Sequence, residues 1–180
     1  GIVEEKKVGN EDMTFVKKCN NAKSVTLLLR GGTEQITDET KRAMEDAIGD
    51  IAAALRNGKV VAGAGGSEIE LSRNIRHFAN SLSGREQLAV VAFADAMEVI
   101  PKTLAENAGL DPIDILTEMK SLHDKGEKWA GMNVFDGKVI DAWKEGIIEP
   151  LKIKTQAVSS ASEVASMILR IDDVISTADG

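Results

Sequence analysis

The sequence predicts a mainly α-helical fold with a small α/β portion. Apolar residues recur at helical spacing from Thr33 onward, and glycines interrupt the pattern at intervals. Strand-like segments are confined to the first thirty residues and to a hairpin signature at Asp136-Gly137. Hydrophobic residues make up 43% of the 180 residues, which is enough for a core, whereas aromatic residues make up only 3%.

The first thirty residues have the pattern of extended chain. Ile2–Val8 and Met13–Val16 are predicted strands on either side of a turn at Gly9-Asn10. Ser24–Leu29 is a nearly continuous apolar run, which predicts a buried strand that Gly31-Gly32 ends. So few strands do not form a stable sheet alone. We therefore expect the chain, which starts with glycine and not methionine, to be part of a longer protein.

Thr33 to Asn57 is predicted to be one long amphipathic helix that Gly58 ends. Its apolar stripe consists of Met44, Ala47, Ile48, Ile51, Ala52 and Leu55. Its opposite, polar face carries Glu39, Arg42, Asp46 and Asp50.

The chain from Ser67 to Gly126 is predicted to be nearly all helical. Glycines at 84, 109 and 126 are expected to end successive helices. Pro101 is expected to open one helix as its first residue, and Asp111-Pro112 is a cap followed by a first-turn proline for the next.

The remaining segments predict a hairpin, an irregular stretch and a final helix. Asn133–Ile140 is the hairpin, with Asp-Gly in its turn, and Trp143 to Pro150 is expected to be irregular. Ser160-x-x-Glu163 is predicted to be the capping box of the final helix. The apolar face of that helix is Val164, Met167, Ile168, Ile171, Val174 and Ile175, and a frayed tail is expected over 177–180.

Composition excludes several classes of function. A net charge of −7 and the scarcity of aromatic residues disfavour a nucleic-acid partner. The one cysteine, Cys19, fits a reducing compartment, so we expect a cytoplasmic protein. No apolar run is long enough to predict a membrane span.

The two histidines do not predict a metal site. His77 and His123 lie far apart in the sequence, and neither has a Cys or His beside it at the spacing of metal ligands.

A Gly-rich turn follows the long helix. Val60–Ala62 enters the segment Gly63-Ala64-Gly65-Gly66, and a helical pattern leaves it. Helix N-termini at such turns suit phosphate groups. The segment is not a Walker loop, because no Lys-Ser or Lys-Thr follows, and it lacks the Gly-x-Gly-x-x-Gly spacing. From these residues alone, an interdomain hinge is the simpler interpretation and a ligand site the alternative.

Six stretches carry a family resemblance: Leu27–Glu34, Arg42–Ala47, Gly84–Ala89, Ala92–Ala96, Ile100–Pro112 and Ile171–Ile175. Together they resemble the C-terminal part of a group II chaperonin subunit of the archaeal thermosome type, and the likeness covers essentially the whole chain. The resemblance implies an equatorial-domain-like helical bundle plus a partial intermediate domain. Residues 1–20 would end the apical domain, 21–58 would form an intermediate-domain segment, and 59–180 the C-terminal half of the equatorial ATP-binding domain.

The resemblance also implies a function. The complete subunit would be an ATPase that folds non-native client proteins inside the chamber of a double ring, built with other chaperonin subunits. ATP and Mg²⁺ would be its cofactors, with the phosphate loop and the metal ligand in an N-terminal half outside this chain. The isolated 180 residues would then not be competent to hydrolyse ATP. A non-catalytic helical scaffold or ring-assembly module is the alternative function, whereas a dinucleotide enzyme is disfavoured because alternating βαβ units are lacking.

Site residues follow from the same resemblance. Asp46 matches the aspartate that positions the attacking water. The nucleotide-binding positions are Gly63, Ala64, Gly65, Asn133, Val134 and Glu149. Within this set the turn would lie beside the nucleotide, the hairpin against the base, and the Glu149 carboxylate on the ribose hydroxyls. Ala64 replaces the usual middle glycine, and its methyl group would crowd the ribose or phosphate.

Simpler interpretations stand beside these roles. Asp46 could be a solvated helix carboxylate paired with Arg42. Asn133 and Val134 could form a plain hairpin edge, and Glu149 could be a turn acid before Pro150.

Overall fold

The computed structural model describes residues 1–173 and is mainly α-helical with small sheets, as the sequence predicts. Its elements are β1 (Ile2–Val8), β2 (Glu11–Lys17), α1 (Glu34–Asn57), β3 (Val60–Ala62), α2 (Gly66–Ala79), α3 (Gly84–Asn107), α4 (Pro112–Asp124), β4 (Ala130–Asn133), β5 (Lys138–Asp141), β6 (Ile148–Pro150) and α5 (Leu151–Ile168). None of the helices in this part of the chain is long and apolar enough to cross a membrane.

The chain divides within α1 into two compact units, Gly1–Glu45 and Asp46–Gly180. The first unit contains an antiparallel hairpin in which β1 pairs with β2 from Ile2↔Lys17 to Val8↔Glu11. Its turn uses Gly9 at a positive φ of 66°, a conformation that glycine adopts without strain. This hairpin confirms the two strands predicted around Gly9-Asn10.

The predicted strand at Ser24–Leu29 is wrong. The segment has no regular structure, and the side chains of Val25 and Leu27 are 85% and 57% exposed. No strand within residues 1–173 pairs with it. Apolar composition favours a strand, but a strand needs a neighbour that satisfies its N–H and C=O groups.

Helix α1 is confirmed, including both of its ends. The hydroxyl oxygen of Thr33 accepts a hydrogen bond from the amide of Ile36 over 3.3 Å, and Gly58 follows the helix at φ 63°. The predicted apolar stripe lies at the surface: Ile48, Ile51 and Leu55 are 49%, 60% and 80% exposed. The spacing of apolar residues therefore predicted the helix correctly. No other element in the described part of the chain buries the apolar stripe.

The second unit has its core among α2, α3, α4 and the β4–β5 hairpin. Its buried members are Ile69, Ala105, Ile115, Met119 and Met132. Leu104, Leu110, Leu116 and Val139 pack against them. These side chains come from both helices and hairpin, so the core fixes the hairpin relative to α2.

Pro101 does not start a helix, contrary to the prediction. It lies inside α3, which runs unbroken from Gly84 to Asn107. A proline inside a helix loses one hydrogen bond and clashes with the preceding turn. Here the ring is fully buried, and a Cβ on Gly65 would lie 2.7 Å from its Cβ. The ring thus packs tightly against the Gly turn within an unbroken helix.

The predicted cap of α4 and the predicted hairpin are both confirmed. Asp111 Oδ1 accepts hydrogen bonds from the amides of Ile113 and Asp114 over 2.8 and 3.4 Å. Strands β4 and β5 pair up to Asn133↔Lys138, and Gly137 supplies the positive φ of the turn.

Two predictions near the C-terminus are wrong. Residues 148–150 are not irregular, because they form β6, which pairs antiparallel with β3. The final helix begins at Leu151, so Ser160 lies inside α5 and is not a cap; Ser159 is the residue that donates a hydrogen bond to Glu163, over 3.3 Å. Val174, Ile175 and the tail 177–180 lie outside the described residues.

Candidate functional site

The Gly turn joins strand β3 to helix α2, as the sequence predicts. The amide of Gly63 donates to the carbonyl oxygen of Ile147 over 2.9 Å. Ala64 and Gly65 both adopt the left-handed conformation, with φ of 56° and 76°. This conformation is unusual for alanine, and it bends the chain sharply so that α2 can begin at Gly66. Within the described part of the chain, the amides of Ala64 and Gly65 donate no backbone hydrogen bond.

Gly63 lies directly against Glu149. Strands β3 and β6 pair Val61 with Glu149, and this pairing delivers the carboxylate to the turn. A Cβ on Gly63 would lie 2.8 Å from Glu149 Oε1 and 3.2 Å from Ile147 Cγ2. The absence of a side chain at Gly63 is thus what admits the carboxylate.

The β4 strand lies on the other side of the turn. The amide of Met132 donates to the carbonyl oxygen of Ala64 over 2.9 Å, and Asn133 is the next residue. The side-chain oxygen of Asn133 accepts a hydrogen bond from the amide of Phe135 over 3.0 Å, and Val134 is 40% exposed. The structure therefore brings together the turn, Glu149 and the start of the hairpin segment.

Asp46 is not joined to this group. Its side chain is exposed on α1 and has no hydrogen bond or ion pair within residues 1–173. It precedes Asn57, the last residue of α1, by eleven positions, which is roughly 16 Å along the helix axis. The alternative partner, Arg42, contacts Glu39 instead, at 3.7 Å.

Lys154 belongs to this group but was not identified from the sequence. Its Nζ lies 2.7 Å from Glu149 Oε2 and 2.5 Å from Glu68 Oε1. Burial lowers the pKa of Lys154, but its hydrogen bonds to Glu149 and Glu68 outweigh burial and raise the pKa above its ordinary value. Glu68 is 5% exposed, and its Oε2 has no hydrogen-bond partner in the described residues. No local motif signals this arrangement, because Glu68 and Lys154 are 86 positions apart.

A second ionisable pair, the buried His123 and the partly exposed Glu70, lies close to the start of α2. His123 is fully buried, with Nδ1 2.8 Å from Glu70 Oε2 and Nε2 2.9 Å from the carbonyl oxygen of Ala130. A Cβ on Gly66 would lie 2.8 Å from that same carbonyl oxygen. His123 thus fixes the Ala130 peptide against the start of α2.

The turn places the Glu149 carboxylate beside Gly63, close to the point where α2 begins. A carboxylate accepts hydrogen bonds from two hydroxyl groups, and amides at a helix N-terminus donate to an anion. No group of three or more His, Cys, Asp or Glu side chains that could hold a metal ion is found in the part of the chain that the structure covers.

Known proteins are similar to this chain in both sequence and fold. Residues 1–179 match the model of the TCP-1/cpn60 chaperonin family. The chain is 59% identical to a thermosome subunit of Methanopyrus kandleri and 60% identical to thermosome subunit beta of Archaeoglobus fulgidus. Each alignment spans 174 residues, 97% of this chain and 32% of the relative.

A solved structure gives the same result. The open-state monomer of a group II chaperonin from Methanococcoides burtonii matches with a TM-score of 0.68 and 54% sequence identity, over 94% of this chain and 42% of that one. The chain spans about a third of the length of the curated relatives it matches. It belongs to the TCP-1/cpn60 chaperonin family and, within it, to the group II or thermosome type.

Proposed function

We propose that this chain contributes the hinge and part of the ATP site of a group II chaperonin subunit, which folds non-native proteins in a ring chamber. The thermosome relatives, at about 60% identity over nearly the whole chain, support this function. In this proposal residues 1–20 end the apical domain, 21–58 belong to the intermediate domain, and 59–180 form the C-terminal half of the equatorial domain. The partners are other chaperonin subunits in a double ring and unfolded clients in the cytoplasm.

The observation that carries the nucleotide site is the contact between Gly63 and Glu149. Glu149 Oε1 faces the turn, and the strand pairing of β3 with β6 fixes it there. In the proposal this carboxylate accepts hydrogen bonds from the ribose hydroxyls. The Gly63–Gly65 turn lies along the nucleotide, and Asn133 and Val134 lie against the base. The methyl group of Ala64 restricts the space beside the turn.

Asp46 is proposed to orient the water that attacks the terminal phosphate. A carboxylate on a hinged helix is chemically suited to this role, because it reaches the nucleotide only when the hinge closes. Gly58, at φ 63° directly after α1, is the proposed pivot. The Mg²⁺ that accompanies ATP would be held by the N-terminal half of the subunit, outside this chain, and the 180-residue chain alone is expected to show negligible ATP turnover.

The experiment uses the complete subunit assembled into its ring. Glu149→Ala is expected to weaken ATP binding by about a hundredfold in calorimetry, because two hydrogen bonds to a charged acceptor are lost. Glu145→Ala, which removes an exposed acid from the neighbouring turn, is the matched control and should bind like the parent. Unchanged affinity in Glu149→Ala would place the nucleotide elsewhere.

Client folding is tested with the same rings. ATP-dependent recovery of a chemically denatured enzyme is expected for the parent and should require a higher ATP concentration for Glu149→Ala. If ATP produces no recovery beyond that seen without nucleotide, the ring-assembly module is the better description.

A further inference from the structure

We propose that Lys154 is a positioning residue, which holds the Glu149 carboxylate in the orientation that leaves Oε1 free at the Gly turn. Glu68 anchors the lysine from the opposite side. This inference rests on the proposed function, in which Glu149 binds the ribose.

The ammonium group of Lys154 lies between two carboxylates. Its Nζ is 2.7 Å from Glu149 Oε2 and 2.5 Å from Glu68 Oε1, and its side chain is 21% exposed. The two oxygens of Glu149 are therefore used differently. Oε2 is bound by the lysine, whereas Oε1 faces Gly63, 2.8 Å from the position of an added Cβ. The lysine thus favours one rotamer of Glu149.

The three side chains stand on three elements that meet at the turn. Glu68 lies in the first turn of α2, Glu149 in the middle of β6, and Lys154 in the first turn of α5. The amide of Leu151 donates to the carbonyl oxygen of Lys59 over 3.1 Å, which ties the start of α5 to the segment that enters β3. Side chains carried by connected regular elements keep their relative positions better than side chains on free loops.

Charge explains why the lysine is needed. Glu68 is 5% exposed, and a buried carboxylate is strongly unfavourable without a paired cation. The ammonium group of Lys154 compensates the negative charge of Glu68 and also donates a hydrogen bond to Glu149. It therefore neutralises one acid and orients the other. A carboxylate that is oriented before the ligand arrives loses less conformational freedom on binding. The benefit should therefore appear specifically in the contact to the ribose hydroxyls.

The test compares ATP with 2′,3′-dideoxy-ATP on the complete subunit, by calorimetry. The main variant is Lys154→Met combined with Glu68→Gln, which keeps net charge constant and leaves no buried carboxylate unpaired. We expect it to weaken ATP binding about five- to tenfold while dideoxy-ATP binding changes less than twofold. Lys154→Arg should retain most of the preference for ATP, and Lys152→Met, at an exposed position of the same helix, should behave like the parent.

The outcomes distinguish the positioning role of Lys154 from the ribose contact of Glu149. If the Lys154 variant weakens the binding of both nucleotides equally, Lys154 only supports the fold. If the preference for ATP over dideoxy-ATP is unchanged, Glu149 needs no positioning. Either result overturns the inference. Glu149→Ala is measured beside them. If it removes the preference for ATP while the Lys154 variant keeps it, the inference fails and the proposed function stands. If Glu149→Ala also keeps the preference, the ribose assignment is wrong and the positioning role falls with it.

Discussion

The amide of Met132 donates a 2.9 Å hydrogen bond to the carbonyl oxygen of Ala64, and this bond joins the β4–β5 hairpin to the Gly turn. Ala64 presents that carbonyl because it adopts a left-handed conformation, at φ 56°. Gly131, next to Met132, lets the two backbones approach: a Cβ there would lie 2.9 Å from the Cβ of Ala64. The candidate site therefore depends on the absence of a side chain at Gly131 as much as on the turn itself.

Gly131→Ala should destabilise the chain by about 1–3 kcal/mol, the usual effect of overpacking. The added methyl group would also lie 3.1 Å from the carbonyl oxygen of Ala64 and 3.2 Å from the Cβ of Ala142. Urea unfolding followed by circular dichroism measures the free energy of unfolding. Combining the change with Ala64→Gly removes the closest of the three contacts, so the double variant should recover part of the loss.

Gly49→Ala is the matched control for this experiment. Gly49 lies inside α1, and a Cβ there would meet nothing within 4 Å. Alanine should therefore stabilise the helix by up to about 1 kcal/mol. If Gly131→Ala is as stable as the parent, the close packing between hairpin and turn does not constrain this residue.

Glu70→Gln should flatten the acid limb of the stability curve. Burial raises the pKa of Glu70, but hydrogen bonds from His123 and Asn74 outweigh burial and hold the pKa below its ordinary value of 4.5. The stabilisation from a lowered carboxyl pKa is present above pH 4.5 and is lost as the pH falls through the folded-state value. The variant should lose about 1–2 kcal/mol at neutral pH and little in strong acid.

Unfolding free energies from pH 7 to pH 3 check this prediction. Glu106→Gln is the control, because Glu106 is half exposed and lies 3.9 Å from Lys102, its only ionic partner among the described residues. It should reproduce the parental curve. An unchanged acid limb in Glu70→Gln would show that the ionisation of Glu70 beside His123 is not linked to stability.

The parts of the fold that were predictable from sequence are those determined by neighbouring residues. The Asp111-Pro112 cap and the Asp136-Gly137 turn each depend on a few adjacent residues, and both are confirmed. The strand at Ser24–Leu29 and the helix start at Pro101 were wrong because tertiary contacts decide them. A strand requires a paired neighbour, and the buried contact of Pro101 with the Gly turn involves residues distant in sequence.

Only those residues of the candidate site that a short sequence motif or the family resemblance marks could be predicted. The turn at Gly63–Gly65 and the acid at Glu149 are visible in the sequence, through the glycines and the family resemblance. Lys154 and the buried Glu68 were missed, because lysine and glutamate in amphipathic helices are ordinarily solvent-exposed. Their pairing depends on β3 lying beside β6, which no periodicity of either segment reveals.

The chain should self-associate as its concentration rises. Ile48, Ile51 and Leu55 are 49–80% exposed along α1, and Met167 and Ile168 are each 60% exposed on α5. Apolar stripes of this length favour association, since burying them removes them from water. Static light scattering over a concentration series measures the apparent mass. Ile51→Glu with Leu55→Glu, which charges the α1 stripe, should lower it, and a monomeric parent at the highest concentration would contradict the expectation.

Asp46→Ala in the complete subunit should slow ATP hydrolysis by on the order of a hundredfold and leave ATP affinity nearly unchanged. The proposed binding contacts come from the turn, Asn133 and Glu149, whereas Asp46 is exposed on α1 and would act only on the attacking water. A residue that acts in the transition state affects turnover more than ground-state binding. Nucleotide titration and single-turnover hydrolysis, measured on the same preparation, separate the two effects.

Asp50→Ala is the control that makes this result specific. Asp50 lies one turn further along α1 on the same polar face, is also exposed, and carries the same charge. Its loss should change the hydrolysis rate less than threefold, because a carboxylate displaced by one turn, about 5 Å, cannot occupy the same place beside the phosphate. If both variants slow hydrolysis equally, the effect comes from the charge of the helix face. If Asp46→Ala hydrolyses ATP at the parental rate, Asp46 is a solvated helix carboxylate and another residue orients the water.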